Sequence, residues 1–281
     1  MQVWIGARAW LHGDNPYTAV RAWQQWPYPL LYPFPAVLIL TPLTVLPAAV
    51  AESMFIGVST SLLAWVITRE QVFSPNLVVF VSAPFLYAIA LVQWAPLLTG
   101  AALTPWLGFL LVCKPTIGLA LFCAFPRWKT GIASGLLLAL SVLIWPHWIN
   151  EWRSAIAEAP NAIAPVTLWG GPLMLLVLIR WRRPESRLLA ALACIPHTTL
   201  AYEAVPLFLV PRTWAETWIV WGGTFLAFVG HRDAGPYESQ LAWVRASGYW
   251  LMLCAYLPCV ALVLRRPNVA PDAENVRVTP A

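Results

Sequence analysis

Eight long apolar stretches separated by short clusters of arginine constrain this chain more than any motif in it. They cover residues 48–68, 76–92, 95–125, 131–148, 166–179, 188–210, 214–230 and 242–264. Only 10% of the chain is charged against 60% apolar, and its mean hydropathy is +0.68. Soluble domains run near about 25% charged. A water-soluble fold of this size cannot cover its surface with so few charges, so the composition points to an all-α, polytopic integral membrane protein.

A spanning helix needs about 20 apolar residues. Several stretches are shorter than that or are interrupted: 95–125 at Pro105 and at Lys114-Pro115, and 188–210 near His197 to Glu203. The pattern predicts about eight to ten full and half-length transmembrane helices, because each interruption turns one span into two shorter pieces. Half-helices that end at membrane depth need protein or a wet cavity around their freed backbone groups, which predicts an outer-face cavity.

The basic residues sort the two sides. Arg69, Arg127 with Lys129, the group Arg180, Arg182, Arg183 and Arg187, then Arg212, and Arg265 with Arg266 each open or close a stretch. Placed together in the cytoplasm, they leave residues 1–32, Gln93-Trp94, Lys114, 147–165, 201–203 and 231–240 on the opposite side. The expected organisation is an outer, periplasmic loop over 1–34 with an interfacial helix, a transmembrane domain over 35–266, and a disordered cytoplasmic tail over 267–281. Residues 150–164, with Trp152, Ile156, Ala159 and Ile163 spaced three or four apart, read either as a second interfacial helix or as a loop capping the bundle. The N-terminal stretch then lies outside with no span before it. The 18 tryptophans, against two lysines, fit a chain with many membrane edges, where an indole is buried and its N–H stays wet.

The net charge of +5 is no nucleic-acid signal, because the arginines are dispersed between apolar runs. The five cysteines all sit in apolar stretches without CxxC or His-paired spacing and read as packing residues. No Walker A, GxGxxG, HExxH or nucleophile-elbow motif is present, so nucleotide, zinc and acyl-enzyme chemistry have no sequence basis.

Ionisable groups within such a chain are functional candidates by their cost alone. Lys114 interrupts Val112-Cys113-Lys114-Pro115-Thr116, and Pro115 suits the first position of a following helix. An ammonium beside a helix N-terminus makes an anion site suited to phosphate; the alternative is a snorkelling lysine. Asp14, in Gly13-Asp14-Asn15-Pro16-Tyr17, reads as a turn residue or as a general base on a wet surface. Glu203, beside the His197 break with Thr198, Thr199 and Tyr202, reads as a sugar-binding edge or a capped helix end. Gln93-Trp94 pairs an amide with an indole where one helix ends and another begins. His147 also belongs with these, while Glu52 and Glu216 read as first-turn acids complementing helix dipoles.

Several of these stretches resemble the polytopic glycosyltransferases of the GT-C superfamily. The likeness is to the branch of polyprenyl-phosphate-mannose-dependent mannosyltransferases and the related arabinofuranosyltransferases of actinobacteria (glycosyltransferase family 87). The run Ala7-Arg8-Ala9-Trp10-Leu11-His12-Gly13-Asp14-Asn15-Pro16-Tyr17 resembles the outer loop of that branch. It precedes Tyr32-Pro33-Phe34-Pro35 and Pro42-Leu43-Thr44-Val45-Leu46-Pro47. Gln93, Lys114-Pro115, the basic stop Pro126-Arg127-Trp128-Lys129 and the late pair Tyr202-Glu203 complete the resemblance, which covers residues 3–211.

That resemblance implies transfer of a sugar, a hexose such as mannose, from a polyprenyl-phosphate donor to a glycan or glycolipid acceptor at the outer face of the cell membrane. An acidic residue of the first outer loop would deprotonate the acceptor hydroxyl. The hydroxyl would attack the anomeric carbon with inversion, and the polyprenyl phosphate would leave with its charge held by cations and helix dipoles. The family has a membrane helix ending in its key Asp just upstream of the segment matched by residues 3–7, where this chain has Met1, so the resemblance implies a relative lacking that first helix. Asp14 is then the candidate base. Lys114, Gln93, Tyr17, Tyr202, Glu203 and His197 are the candidate substrate- and phosphate-binding residues. The partners implied are the polyprenyl-phosphate lipid, membrane lipid and the acceptor, with no nucleic acid, no resident cofactor and no assigned metal. The competing classes are a lipid or solute transporter, which inverted repeats would favour and this sequence lacks, and a non-catalytic membrane protein.

Overall fold

The computed structural model describes residues 2–24, 29–158, 162–197, 200–232 and 238–269. Thr198, Thr199, Ala159, part of the 231–240 loop and most of the tail expected over 267–281 lie outside them. Among the described residues the chain is helical, with no strand and one isolated bridge between Ile163 and His197.

The α-helices are α1 (Gln2–Leu11), α2 (Pro16–Gln24), α3 (Phe34–Leu40), α4 (Ala48–Thr68), α5 (Ala83–Ala90), α6 (Ala95–Leu103), α7 (Pro115–Ala124), α8 (Trp128–Ile144), α9 (Trp148–Glu158), α10 (Pro184–Cys194), α11 (Leu200–Glu203), α12 (Trp214–Arg232), α13 (Gln240–Leu251) and α14 (Leu257–Leu264). Long 3-10 segments run over Pro75–Val81, Pro105–Cys113 and Gly171–Arg180, and a π turn over Met252–Tyr256 joins α13 to α14. Proline sets many of these boundaries. It opens or nearly opens α3, α5, α6, α7 and α10, where its missing N–H costs nothing and its fixed φ suits the first turn.

Two helices are long and apolar enough to cross a membrane, Ala48–Thr68 and Leu241–Leu264. Two further pairs pass the same test when taken together but are sharply bent: α5 with α6 by 115°, and α8 with α9 by 98°. By length and composition the described residues therefore hold two to four candidate spans. The expected break of 95–125 is found at both places, since α6, the 3-10 arm 105–113 and α7 meet at Pro105 and at Lys114-Pro115. The single stretches expected over 76–92 and 166–179 instead contain 3-10 segments. Helical periodicity in apolar side chains does not separate the two geometries.

Large apolar side chains line the outside of α8, where Leu136 and Leu143 are exposed and only Thr130 and Ser141 are buried. Such a surface suits contact with lipid rather than water. The tryptophans divide into two populations. Trp128 and Trp214 are exposed as the first residues of α8 and α12, whereas Trp4, Trp94 and Trp148 are buried.

At one end of the helices the arginines are fastened to carbonyls left free by helix C-termini. Arg187 donates from Nε to Cys123 O (3.0 Å) and from Nη2 to Ala124 O (2.8 Å), closing α7. Arg180 donates to Leu264 O, closing α14, and Arg69 reaches Leu103 O at the end of α6. Glu185 joins Arg212 (3.1 Å) and Arg266 (3.3 Å), and Glu216 binds Arg266 (2.7 Å) and the Arg212 N–H. Glu216 thus acts through an ion pair as well as through its place in the first turn. Arg69, Arg180, Arg187 and Arg266 thus satisfy carbonyls that the backbone leaves free.

The N-terminal segment packs as a cap. The N-terminal stretch is helical, and in α1 Val3, Trp4, Gly6, Ala7 and Ala9 are buried, so it turns much of its surface onto protein. The Trp4 indole donates to Leu43 O (3.1 Å), fixing α1 to the Thr41–Val45 segment, while Asn15 donates to Glu151 (3.0 Å) and Arg21 pairs with Glu158 (2.8 Å), tying the α1–α2 turn and α2 to α9. The helix expected within 150–164 forms as α9, with Trp148 and Ala155 buried.

Candidate functional site

Three broken helices bring their ends to one place. α7 starts at Lys114 and ends at the arginine-rich end, so its ten residues set Lys114 about 15 Å from that end. α10 starts beside Arg183 at the same end, and its eleven residues carry the chain about 16 Å before His197. Gln93 lies in the tight turn between α5 and α6. Val92 there has φ +51°, a conformation that a β-branched residue adopts only under strain.

Where these ends meet, Lys114 Nζ lies 2.8 Å from Glu203 Oε1, and Thr116 Oγ donates to the same oxygen (3.2 Å). Nζ also donates to Gln93 Oε1 (3.4 Å), which accepts the Tyr32 hydroxyl at 2.7 Å. The ammonium sits 4.4 Å from the Tyr202 ring centroid and 5.5 Å from that of Tyr32, within cation–π range of both. The second Glu203 oxygen meets His197 Nδ1. Glu203 and His197 are fully buried, and Lys114, Tyr202 and Tyr32 nearly so.

The far side of the histidine fixes its tautomer. Pro196 has no N–H to offer Leu192 O, the carbonyl it would bond in a continued helix. His197 Nε2 takes that role at 2.9 Å. A carbonyl only accepts, so Nε2 carries hydrogen. Nδ1 and the carboxylate oxygen then need one proton between them, as imidazolium with carboxylate or as imidazole with carboxylic acid. Either way the pair is neutral. Lys114, held as an ammonium by two oxygen acceptors and two aromatic faces, leaves the cluster with a single excess positive charge. Among the described residues no second carboxylate contacts it. The hydroxyl of Tyr256, within electrostatic reach of Glu203, and the indole N–H of Trp94 are buried without hydrogen-bond partners among the described residues.

Of the residues singled out in the sequence, Lys114, Gln93, Tyr202, Glu203 and His197 come together here. Asp14 and Tyr17 do not join them. Asp14 is exposed in the turn between α1 and α2. Tyr17 is buried in an aromatic wall, stacked on Trp145 with ring centroids 5.8 Å apart, and burial pushes its phenol well above the ordinary tyrosine range. His147 is exposed at the start of α9. Tyr32 and Thr116 belong to the cluster and carried no signal beyond a proline-flanked tyrosine and a threonine two residues after the lysine. Among the described residues no group of three or more His, Cys, Asp or Glu is arranged to hold a metal ion.

No family model matches this chain, and no curated protein or solved structure is significantly similar to it.

Proposed function

We propose that this protein is a multi-pass membrane glycosyltransferase that moves a hexose from a polyprenyl-phosphate donor to a glycan or glycolipid acceptor at the outer face of the cell membrane. The observation that carries the reading is the buried cluster of Lys114, Glu203 and His197 with one positive charge in excess. Such a site attracts a single anion, and a polyprenyl phosphate leaving an anomeric carbon develops that charge in the transition state. A depth of about 15 Å from the arginine-rich end is half of a bilayer core about 30 Å thick. A lipid phosphate reaching that depth from the outer side needs the broken helices that the chain has.

In this reading the half-helices and 3-10 arms complete a bundle of about eight to ten membrane-embedded segments, with the arginine-rich end and the C-terminus in the cytoplasm. Asp14, the acidic residue of the first outer loop, takes the acceptor proton. Gln93, Tyr32 and Tyr202 surround Lys114 and Tyr17 follows Asp14 in the same outer segment. Incubating the purified protein in nanodiscs with radiolabelled polyprenyl-phosphate hexose and total membrane glycolipids tests this. Transfer that falls at least a hundredfold in Lys114→Gln and in Asp14→Asn is the expected result, and transfer indifferent to Lys114→Gln would sink it.

One observation favours a second reading. A buried carboxylate in contact with an imidazole is also what a proton-coupled transporter uses within a membrane. Proton uptake driven by a solute gradient in proteoliposomes, without sugar transfer, would select it.

A further inference from the structure

A cavity of about 630 Å³ opens beside the cluster, walled by the 162–169 loop and by the first turns of α13. That volume lies in the range of small-ligand sites, about 300–1,000 Å³. Its lining is apolar apart from Thr167, Trp169 and one charge, Arg245. Arg245, an exposed residue, has no ion-pair or hydrogen-bond partner among the described residues, whereas Arg69, Arg180, Arg187, Arg212 and Arg266 are fastened to carbonyls or carboxylates. The wall facing it is preformed. Leu168 N–H bonds Pro165 O (3.0 Å), Thr167 Oγ bonds Ala164 O (2.7 Å), and Gly171 N–H bonds Leu168 O (2.8 Å). Gly170 at φ +76° turns the chain so that Trp169 stands exposed at the rim. The loop is joined to the cluster directly, because Ile163 and His197 form a two-way backbone bridge.

We propose that this cavity binds an anionic, sugar-sized ligand, with its phosphate or carboxylate on Arg245 and a ring face on Trp169. A guanidinium with no partner among the described residues offers a planar pair of donors that matches either acid group. The indole supplies a flat apolar face beside it. As an acceptor subsite the cavity rests on the transferase reading and names its substrate class, an acceptor bearing an acidic group. As an anion site it stands without that reading.

The test uses the full chain in phosphatidylcholine nanodiscs, titrated with a hexose 6-phosphate, a hexuronate, the neutral hexose and inorganic phosphate, and read by thermal unfolding midpoint and tryptophan fluorescence. The two charged sugars are expected to bind at least tenfold more tightly than the neutral one. Arg245→Gln should remove that difference and Arg245→Lys should restore part of it. Trp169→Leu should weaken the charged sugars while leaving inorganic phosphate unchanged. Lys114→Gln should leave all of this intact, which separates the cavity from the buried cluster. With binding intact and no sugar transfer detected, the anion site stands and the transferase reading falls. Equal binding of charged and neutral sugars, binding unchanged by Arg245→Gln, or competition by phosphatidylglycerol alone would overturn the proposal, the last by making Arg245 a lipid headgroup contact.

Discussion

Ile163 and His197 face each other through two backbone hydrogen bonds of 3.0 Å, the N–H of each given to the carbonyl of the other. The bridge ties the loop that walls the Arg245 cavity to the residue whose ring holds Glu203. Ile163→Pro removes one of the two donors and should lower stability by about 1–3 kcal/mol. In hydrogen exchange followed by mass spectrometry, the peptide containing His197 should lose protection. Unchanged protection would mean that the ring contacts alone hold His197.

The proton count in the cluster makes the two ion-pair partners unequal. Lys114→Met leaves Glu203 and His197 as a neutral pair. Glu203→Gln leaves a buried ammonium with no counter-ion, a defect that costs about 3–5 kcal/mol. Chemical denaturation in detergent should therefore show the glutamate variant to be the less stable. The reverse order would refute the shared proton.

Gly118 marks the closest approach of α7 to the 105–113 arm, since a Cβ there would lie 1.8 Å from Leu111 O. Gly118→Ala must push the arm away from α7, at a cost of about 1–3 kcal/mol or more. A thermal midpoint unchanged from the parent would contradict the packing of these two segments. Gly57, with nothing within 4 Å of a built Cβ, serves as the tolerant control.

Tyr17 gives a pH dependence. Its phenol is raised by burial, so the folded state holds its proton when the unfolded state has begun to lose it. The resulting stability is fully present below about pH 10, the unfolded tyrosine value, and declines above it by about 1.4 kcal/mol per pH unit for one proton. Unfolding curves between pH 9 and 11.5 should fall less steeply for Tyr17→Phe than for the parent. Parallel curves would mean that Tyr17 ionises in place.

The breaks of this fold were legible because proline writes them: Pro105, Pro115 and Pro196 each end a helical ladder at a position visible in the sequence. The cluster was legible for a different reason. In a chain so poor in charge, Lys114, Glu203 and His197 had few rivals, and their cost inside an apolar stretch singled them out. Their pairing was not legible, because Lys114 and Glu203 are brought together only by the relative heights of α7 and α10. Tyr32 and Thr116 were missed since a hydroxyl announces no partner. Glu216 reads in the sequence as an ordinary first-turn acid, and only the fold brings Arg266 and the Arg212 N–H onto it. Asp14 drew notice by its motif, and the fold leaves it on the surface.

The 3-10 character of Pro105–Cys113 sets a length that composition does not reveal. Nine residues reach about 18 Å at 2.0 Å each, against about 13.5 Å had they wound as α-helix. The rising arm thereby slightly exceeds the returning α7, about 15 Å long, and the two together set the height at which Lys114 meets Glu203. Rewinding that arm by a single hydrogen-bond register would draw Lys114 down by a few ångströms and part it from Glu203, so the charge of the site is set by the pitch of a strut that carries no charge itself.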